Sequence, residues 1–198
     1  MTREQPLLRF IQLLLDGPRD GRFILKDLPG SGKRIDLLCR DLAACFDWGP
    51  DQWPRNALEL IVLLPEDVAL LFHHPGGRIP VGERAWAEEI QSVLDGNDSD
   101  LIEKQSVDTK ELLRSLLAEE NSSLWVLEES GPDIRSITNL DVEAQNSFIL
   151  GDHQGFGKDI LHMIGQLDIS PISLGPHSYL SSHCIASVIS EMEGMKNR

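Results

Sequence analysis

Phe148-Ile-Leu-Gly-Asp-His-Gln-Gly-Phe156, Ile172-Ser-Leu-Gly-Pro176 and Ser182-His-Cys-Ile-Ala-Ser-Val-Ile-Ser-Glu191 decide how this chain folds. In the first two, an apolar run stops abruptly at a glycine followed or preceded by polar residues. Such a run is what a fully buried strand looks like, and the glycine lets the backbone turn where a side chain would clash. The third stretch opens on Ser182 and sets Ile185, Val188, Ile189 and Met192 at helical spacing, which predicts a packed helix. Loops leaving the carboxyl ends of neighbouring buried strands are where α/β proteins bind ligands. Residues 148–191 therefore predict a site built largely from backbone.

Working outward, strands are predicted at residues 58–64, 69–73, 124–127, 147–150 and 169–174. Helices are predicted from Ile35, with Ile35, Leu38, Leu42 and Phe46 on one face and Gly49-Pro50 closing it, and over 85–94, 109–120 and 158–167. Residues 7–15 fit a helix or a strand equally well. Residues 95–100 and most of 133–146 read as loop, Pro75-Gly-Gly77 as a turn, and residues 194–198 as a frayed end. Strands alternating with helices predict an α/β domain whose sheet is mostly parallel in its second half.

At 198 residues the chain is long enough for one domain with a sizeable core. No apolar run reaches the length needed to span a bilayer, so no membrane association is expected. Residues 1–4 lack the layout of a signal peptide. Three cysteines without a Cys-x-x-Cys argue for a reducing, cytoplasmic setting and against a disulfide framework. A net charge of −14 excludes a generic nucleic-acid binder. That charge is uneven: residues 1–40 hold eight basic side chains against five acidic ones. A polyanion would bind there, although six basic residues between 19 and 40 also suit a solvated face.

Gly30-Ser-Gly-Lys33 resembles part of a phosphate-binding loop, but Asp27 and Arg34 occupy the positions that need a glycine and a hydroxyl, which excludes it. The six histidines lack zinc-site spacing, so no metal is expected. Cys184 reads as a small buried thiol rather than a nucleophile. The pairs Glu88-Glu89, Glu119-Glu120 and Glu128-Glu129 read as solvated element ends. That leaves the C-terminal loops. Asp152 and His153 exceed what a turn requires, and backbone groups lining such a notch suit the edge of a planar heterocycle such as adenine.

Three blocks carry a resemblance that covers most of the chain. Leu150-Gly-Asp-His, Ser173-Leu-Gly-Pro and His183-Cys-Ile resemble the C-terminal half of SPOUT methyltransferases. Residues 23–40, Phe-Ile-Leu-Lys-Asp-Leu-Pro-Gly-Ser-Gly-Lys-Arg-Ile-Asp-Leu-Leu-Cys-Arg, are similar to the N-terminal signature of the archaeal tRNA (pseudouridine-54 N1)-methyltransferases, and residues 124–134 more loosely to that family's strand and loop opening the cofactor region. The resemblance implies a single SPOUT α/β domain over 1–198: an RNA-facing part, 1–120, and a cofactor-binding part, 121–194, tied in a deep trefoil knot. Residues 8–15 would be its first strand. It implies S-adenosyl-L-methionine as cofactor, lying against Leu127, Leu150, Gly151, Asp152, Ser173, Leu174, Gly175, Pro176, His177, Ser178, Cys184 and Ile185. Arg34 and Asp36 would hold and polarise the target base, with Asp152 a third candidate. Arg40 would pair with Asp36 or touch RNA. The partners implied are tRNA and a second copy of the chain, docked through the knot with the last helix facing it. The alternatives are a non-catalytic SPOUT-like binding or assembly protein, which the −14 charge favours, and a methyltransferase for another RNA.

Overall fold

The computed structural model describes residues 7–47, 55–74, 77–152 and 155–196. Gly49-Pro50, Pro75 and His153, to which the sequence assigned a helix stop, part of a turn and a loop residue, lie outside the described residues.

Residues 7–15 resolve as strand β1 (Leu8–Leu13), buried along its whole length. It is followed by α1 (Ile35–Leu42), which runs into a π-helical turn at Ala43–Asp47. The chain continues through β2 (Leu58–Leu64), β3 (Val68–His73), α2 (Glu83–Leu94), β4 (Ile102–Ser106) and α3 (Thr109–Leu117). The C-terminal half holds β5 (Ser122–Leu127), β6 (Gln145–Leu150), α4 (Lys158–Gln166), β7 (Ser170–Ile172) and α5 (Ser181–Lys196). Among the described residues the strands form one sheet in the order β4-β3-β2-β1-β6-β5-β7. β1 pairs in parallel with β2 and β6, and β5 in parallel with β6 and β7. Only β3 and β4 run antiparallel to their neighbours. The expected α/β class and mostly parallel sheet are what is found.

Side chains alternate across this sheet, so its central strands feed two cores. Leu8, Phe10, Leu58, Leu60, Phe72, Trp125 and Phe148 face α1, α2 and α5. Ile11, Leu13, Ile61, Leu63, Val126 and Ile149 face α3 and α4 through Leu113, Leu116, Ile160 and Ile164. The result is three layers, helix–sheet–helix, which the unbroken apolar runs of β1 and β2 require.

Three expectations need correction, and one strand was not anticipated. β4 was assigned no element, because it buries only Ile102 and exposes Glu103, Lys104, Gln105 and Ser106; pairing with β3 makes it a strand. α5 continues to Lys196 instead of fraying from Gly194, as Met192 is fully buried and Met195 packs on the core. The apolar stripe of α5 is spent inside its own chain, with Ile185, Val188, Ile189 and Met192 all at 0% exposure, so it cannot face a partner. Arg9, counted among the basic side chains that could meet a polyanion, is buried and bonded to Glu59 and, at 3.1 Å, to Glu119.

That last arrangement joins β1, β2 and the residues after α3. Removing the cation would leave Glu59 partly buried and unpaired, a cost of about 3 kcal/mol. Arg9→Met should lower the unfolding free energy in urea by about that amount, and the double substitution Arg9→Met/Glu59→Leu should recover most of it.

Candidate functional site

The carboxyl ends of β5, β6 and β7 lie side by side, and the turns that follow them enclose a cleft of about 430 Å³. Its apolar walls include Leu127, Leu150, Phe156, Leu161, Ile172 and Leu174. Glu128, Glu129 and Asp152 add three carboxyl groups, and among the described residues the lining includes no lysine or arginine.

The turns are held by backbone hydrogen bonds. Glu128 N–H donates to Ile172 O at 3.0 Å, Ile134 N–H to Ser173 O at 2.8 Å, and Ser173 N–H to Pro132 O at 2.8 Å. The Ser173 hydroxyl accepts from Gly175 N–H at 3.0 Å and donates to Gly175 O at 2.9 Å, closing the Ser-Leu-Gly turn on itself. Gly151 sits where a Cβ would lie 2.9 Å from the Gly155 backbone, so a side chain there would force the turn open. Gln12 steadies the same turn from β1: its Nε2 donates to Gly151 O at 3.0 Å.

Of the residues expected to meet a cofactor, Leu127, Leu150, Gly151, Asp152, Leu174, Gly175, His177, Ser178 and Cys184 line the cleft. Ser173, Pro176 and Ile185 do not. Ser173 is buried and shapes the turn, and Ile185 points into the core because it is a helical step away from Cys184. Glu129, read as solvated, is exposed and also lines the cleft, and hydrogen bonds from its own backbone and from Ser178 hold its carboxyl below the usual range. Gln12, Glu128, Glu129, Phe156, Tyr179 and Ser181 were missed. Only Gln12, a buried polar residue in an apolar strand, left a sequence signal.

Arg34 and Asp36 meet at the start of α1. Arg34 adopts left-handed backbone angles, φ 68°. Its guanidinium spans both carboxylate oxygens of Asp36, at 3.0 and 3.2 Å. Arg40 also bonds Asp36, one of the two partners expected for it. Burial pushes the Asp36 carboxyl up, but the Arg34 hydrogen bonds and the charges of both arginines outweigh it, and the net shift is downward. Neither Arg34 nor Asp36 lines the cleft.

Asp41 connects α1 to the cleft. It is fully buried, and its Oδ1 accepts from the Ser181 hydroxyl at 2.7 Å. Its Oδ2 makes no hydrogen bond among the described residues. Burial pushes its carboxyl up to about 7, against smaller downward pulls from Ser181 and Arg40. The thiols behave differently from nucleophiles: burial, with the carboxylates of Asp41 and Glu129, raises Cys184 to about 11. Among the described residues no cluster could hold a metal ion, and no helix is long and apolar enough to cross a membrane.

A mostly parallel sheet with a backbone-walled cleft at its carboxyl edge, under a final helix, is the fold of SPOUT methyltransferases, as solved structures show. The Archaeoglobus fulgidus Nep1 structure bound to S-adenosylhomocysteine has this fold, with a TM-score of 0.67 over 98% of this chain and 100% of that one, at 14% identity. A Neisseria gonorrhoeae ribosomal RNA small subunit methyltransferase E bound to S-adenosyl methionine matches at TM-score 0.51, over 98% and 70% of the two chains, at 11% identity. Residues 7–196 match the family described as "Putative SAM-dependent RNA methyltransferase", and the chain belongs to that family. Among its relatives, the Pyrococcus abyssi tRNA (pseudouridine(54)-N(1))-methyltransferase is 32% identical, over 84% of this chain and 87% of that protein. The Methanococcus aeolicus protein of the same name is 28% identical, over 89% and 93%.

The buried acid gives a pH dependence whose sign follows from its raised value. From about pH 4 to about pH 7 the unfolded chain ionises at Asp41 while the folded protein keeps the proton, so stability falls as pH rises and levels above about 7. In urea titrations at successive pH values, Asp41→Asn should remove a contribution of up to about 4 kcal/mol to that slope.

Proposed function

We propose that this protein transfers a methyl group from S-adenosyl-L-methionine to N1 of pseudouridine 54 in the T-loop of tRNA. The observation that carries the reading is the cleft itself, with its laced turns, on a chain that aligns along most of its length with tRNA (pseudouridine(54)-N(1))-methyltransferases.

The lining fits the cofactor. Leucine and isoleucine side chains of three strand ends and the turn after β7 supply faces for a flat ring, and peptide groups of residues 127–130, 150–152 and 174–178 supply an edge. Glu128, Glu129 and Asp152 give the cleft a negative field that suits a cationic ligand. When bound, S-adenosylmethionine supplies a methyl group already activated on a sulfonium. The protein's part is then placement: Leu150-Gly-Asp and Leu174-Gly-Pro position, and the apolar walls exclude water. Ser173 and Pro176 serve by fixing the second turn.

Arg34 has a different task. Asp36 orients its guanidinium, which leaves the outer edge for the target base or the anion that forms as the base loses its proton. A base in an RNA loop reaches such a site by leaving its stack. Basic side chains at Arg19, Arg22, Lys26 and Lys33 supply phosphate contacts near this corner of an otherwise acidic chain.

A SPOUT domain with a knotted C-terminal segment, 121–194, and a homodimer joined beside it complete the reading. The dimer would use surfaces other than the buried stripe of α5, and Tyr179 and Leu180, both exposed beside the cleft, are suitable. Three free thiols support a cytoplasmic setting.

Calorimetric titration with S-adenosylmethionine should give saturable binding that Gly151→Val abolishes or weakens at least about tenfold, because its side chain meets the Gly155 backbone. Absence of binding to the unaltered protein would remove the enzyme reading. Arg34→Ala should retain cofactor affinity and lose about 100-fold or more in methyl transfer to tRNA bearing pseudouridine 54. Loss of cofactor binding in that variant would show that its role has been misassigned.

A further inference from the structure

Methylation of a ring N–H must dispose of a proton, and two of the carboxylates named so far suit that task poorly. Asp36 is clamped between two guanidiniums, and Glu129 is stabilised in its ionised form by hydrogen bonds. An acceptor works best when its proton affinity lies near the working pH.

We propose that Ser181 and Asp41 form the proton-accepting pair of the methyl-transfer site, Ser181 facing the cleft and Asp41 acting through it from behind. This rests on the functional reading above and supplies the acceptor which that reading lacks. Four observations support it. Ser181 lines the cleft and donates its hydroxyl to Asp41 Oδ1 at 2.7 Å. Asp41 is sealed from solvent on the far side, at 0% exposure. Its Oδ2 makes no hydrogen bond among the described residues, so the carboxyl is not tied down as Asp36 is. An asparagine would give Ser181 the same acceptor without the cost of burying an ionisable group, which argues for a use of the acid.

The titratable groups coupled to this carboxyl are Arg40, Asp36 and Cys39 on α1, Cys45 on the π-helical turn and Cys184 on α5. Burial raises all three thiols, so they stay neutral, and Arg40 and Asp36 pull in opposite directions. Burial then leaves Asp41 titrating at about 7.

In the step itself, the ring nitrogen keeps the electron pair of its N–H bond and uses it to form the bond to the methyl carbon. The pair of the broken S–C bond stays on sulfur. The released proton goes to Ser181 Oγ as the serine proton passes to Asp41 Oδ1. The hydroxyl ends unchanged, the carboxylate ends protonated, and return of the proton through Ser181 to the open cleft resets the pair.

The test is single-turnover transfer of tritiated methyl from S-adenosylmethionine to tRNA bearing pseudouridine 54, from about pH 5.5 to about pH 9. The unaltered protein should gain rate with pH and level off above about 7. Asp41→Asn should lose about 100-fold and that rising limb, with S-adenosylmethionine affinity by calorimetry unchanged within about threefold. Ser181→Ala should fall similarly, and Ser181→Thr, which keeps the hydroxyl, should retain most of the rate. A readout free of turnover is the carboxyl resonance of 13C-aspartate-labelled protein, which should titrate near 7 and vanish in Asp41→Asn. If that variant does not fold, the serine variants and the resonance of the unaltered protein decide. The proposal is overturned if Asp41→Asn keeps the rate and its pH limb, if Asp152→Asn alone removes the limb, or if every aspartate titrates near 4. An unaltered protein that transfers no methyl would overturn the functional reading and this pair with it; an active one indifferent to Asp41 overturns the pair alone.

Discussion

The cleft depends on three peptide hydrogen bonds, from Glu128 to Ile172, from Ile134 to Ser173 and from Ser173 to Pro132. β7 is a strand of three residues at the sheet's edge and pairs only with β5. Without the loop after β5 its last peptide groups would have no partner, and buried peptide groups without partners are costly. The loop approaches closely enough to make these bonds because residue 131 is glycine: a Cβ there would lie 2.8 Å from the Ile172 nitrogen. One wall of the cleft is therefore a pair of loops bonded to each other, and the opposite wall is the Gly151 turn, steadied by Gln12. Both walls are peptide surfaces fixed before any ligand arrives, which limits the ordering cost of binding.

Electrostatics divides the molecule differently from the chain's own charge pattern. Two aspartates on α1, five residues apart, meet opposite fates. Asp36 faces Arg34 and Arg40 and stays ionised, whereas Asp41 faces thiols, a hydroxyl and packed side chains and holds its proton into the neutral range. Environments that push like groups apart are how one site acquires both a fixed charge and a titrating group. The fixed charge orients a guanidinium and the titrating group stands behind the cleft, joined to it by one hydroxyl.

How much of this the sequence carried depended on whether a residue's role was local. The strand end at Leu150-Gly151 was legible because an apolar run stopped by glycine has few other meanings, whereas the strand expected over 169–174 is only Ser170–Ile172 and ends before Leu174-Gly175. β1 was ambiguous alone and was assigned through resemblance, since nine mostly apolar residues carry no period. β4 was invisible: its pattern is polar, and only the neighbouring β3 makes it a strand. Arg34 and Asp36 were singled out through the family signature, but their mutual clamp is a property of the fold, as is the burial of Arg9. Asp41 attracted no notice beside Arg40, because an acidic residue on a short helix normally faces water. Ile185 was misplaced because a contiguous motif was carried over whole, and on a helix adjacent residues point about 100° apart.

An enzyme with a net charge of −14 acting on a polyanion looks inconsistent until the charges are located. Arg9 is internal, and Arg34 and Arg40 are committed to Asp36, so the basic excess of residues 1–40 is smaller at the surface than in the sequence. The carboxylates at the cleft are not a burden on RNA binding alone. They favour a cation over a neutral molecule, and S-adenosylmethionine carries one positive charge more than the S-adenosylhomocysteine left after transfer. A negative field in the cleft therefore strengthens binding of the donor relative to the product. The same field opposes an anion in the cleft, so a base losing its proton there needs a cation beside it. Arg34, which Asp36 holds outside the cleft lining, is the cation proposed for that task.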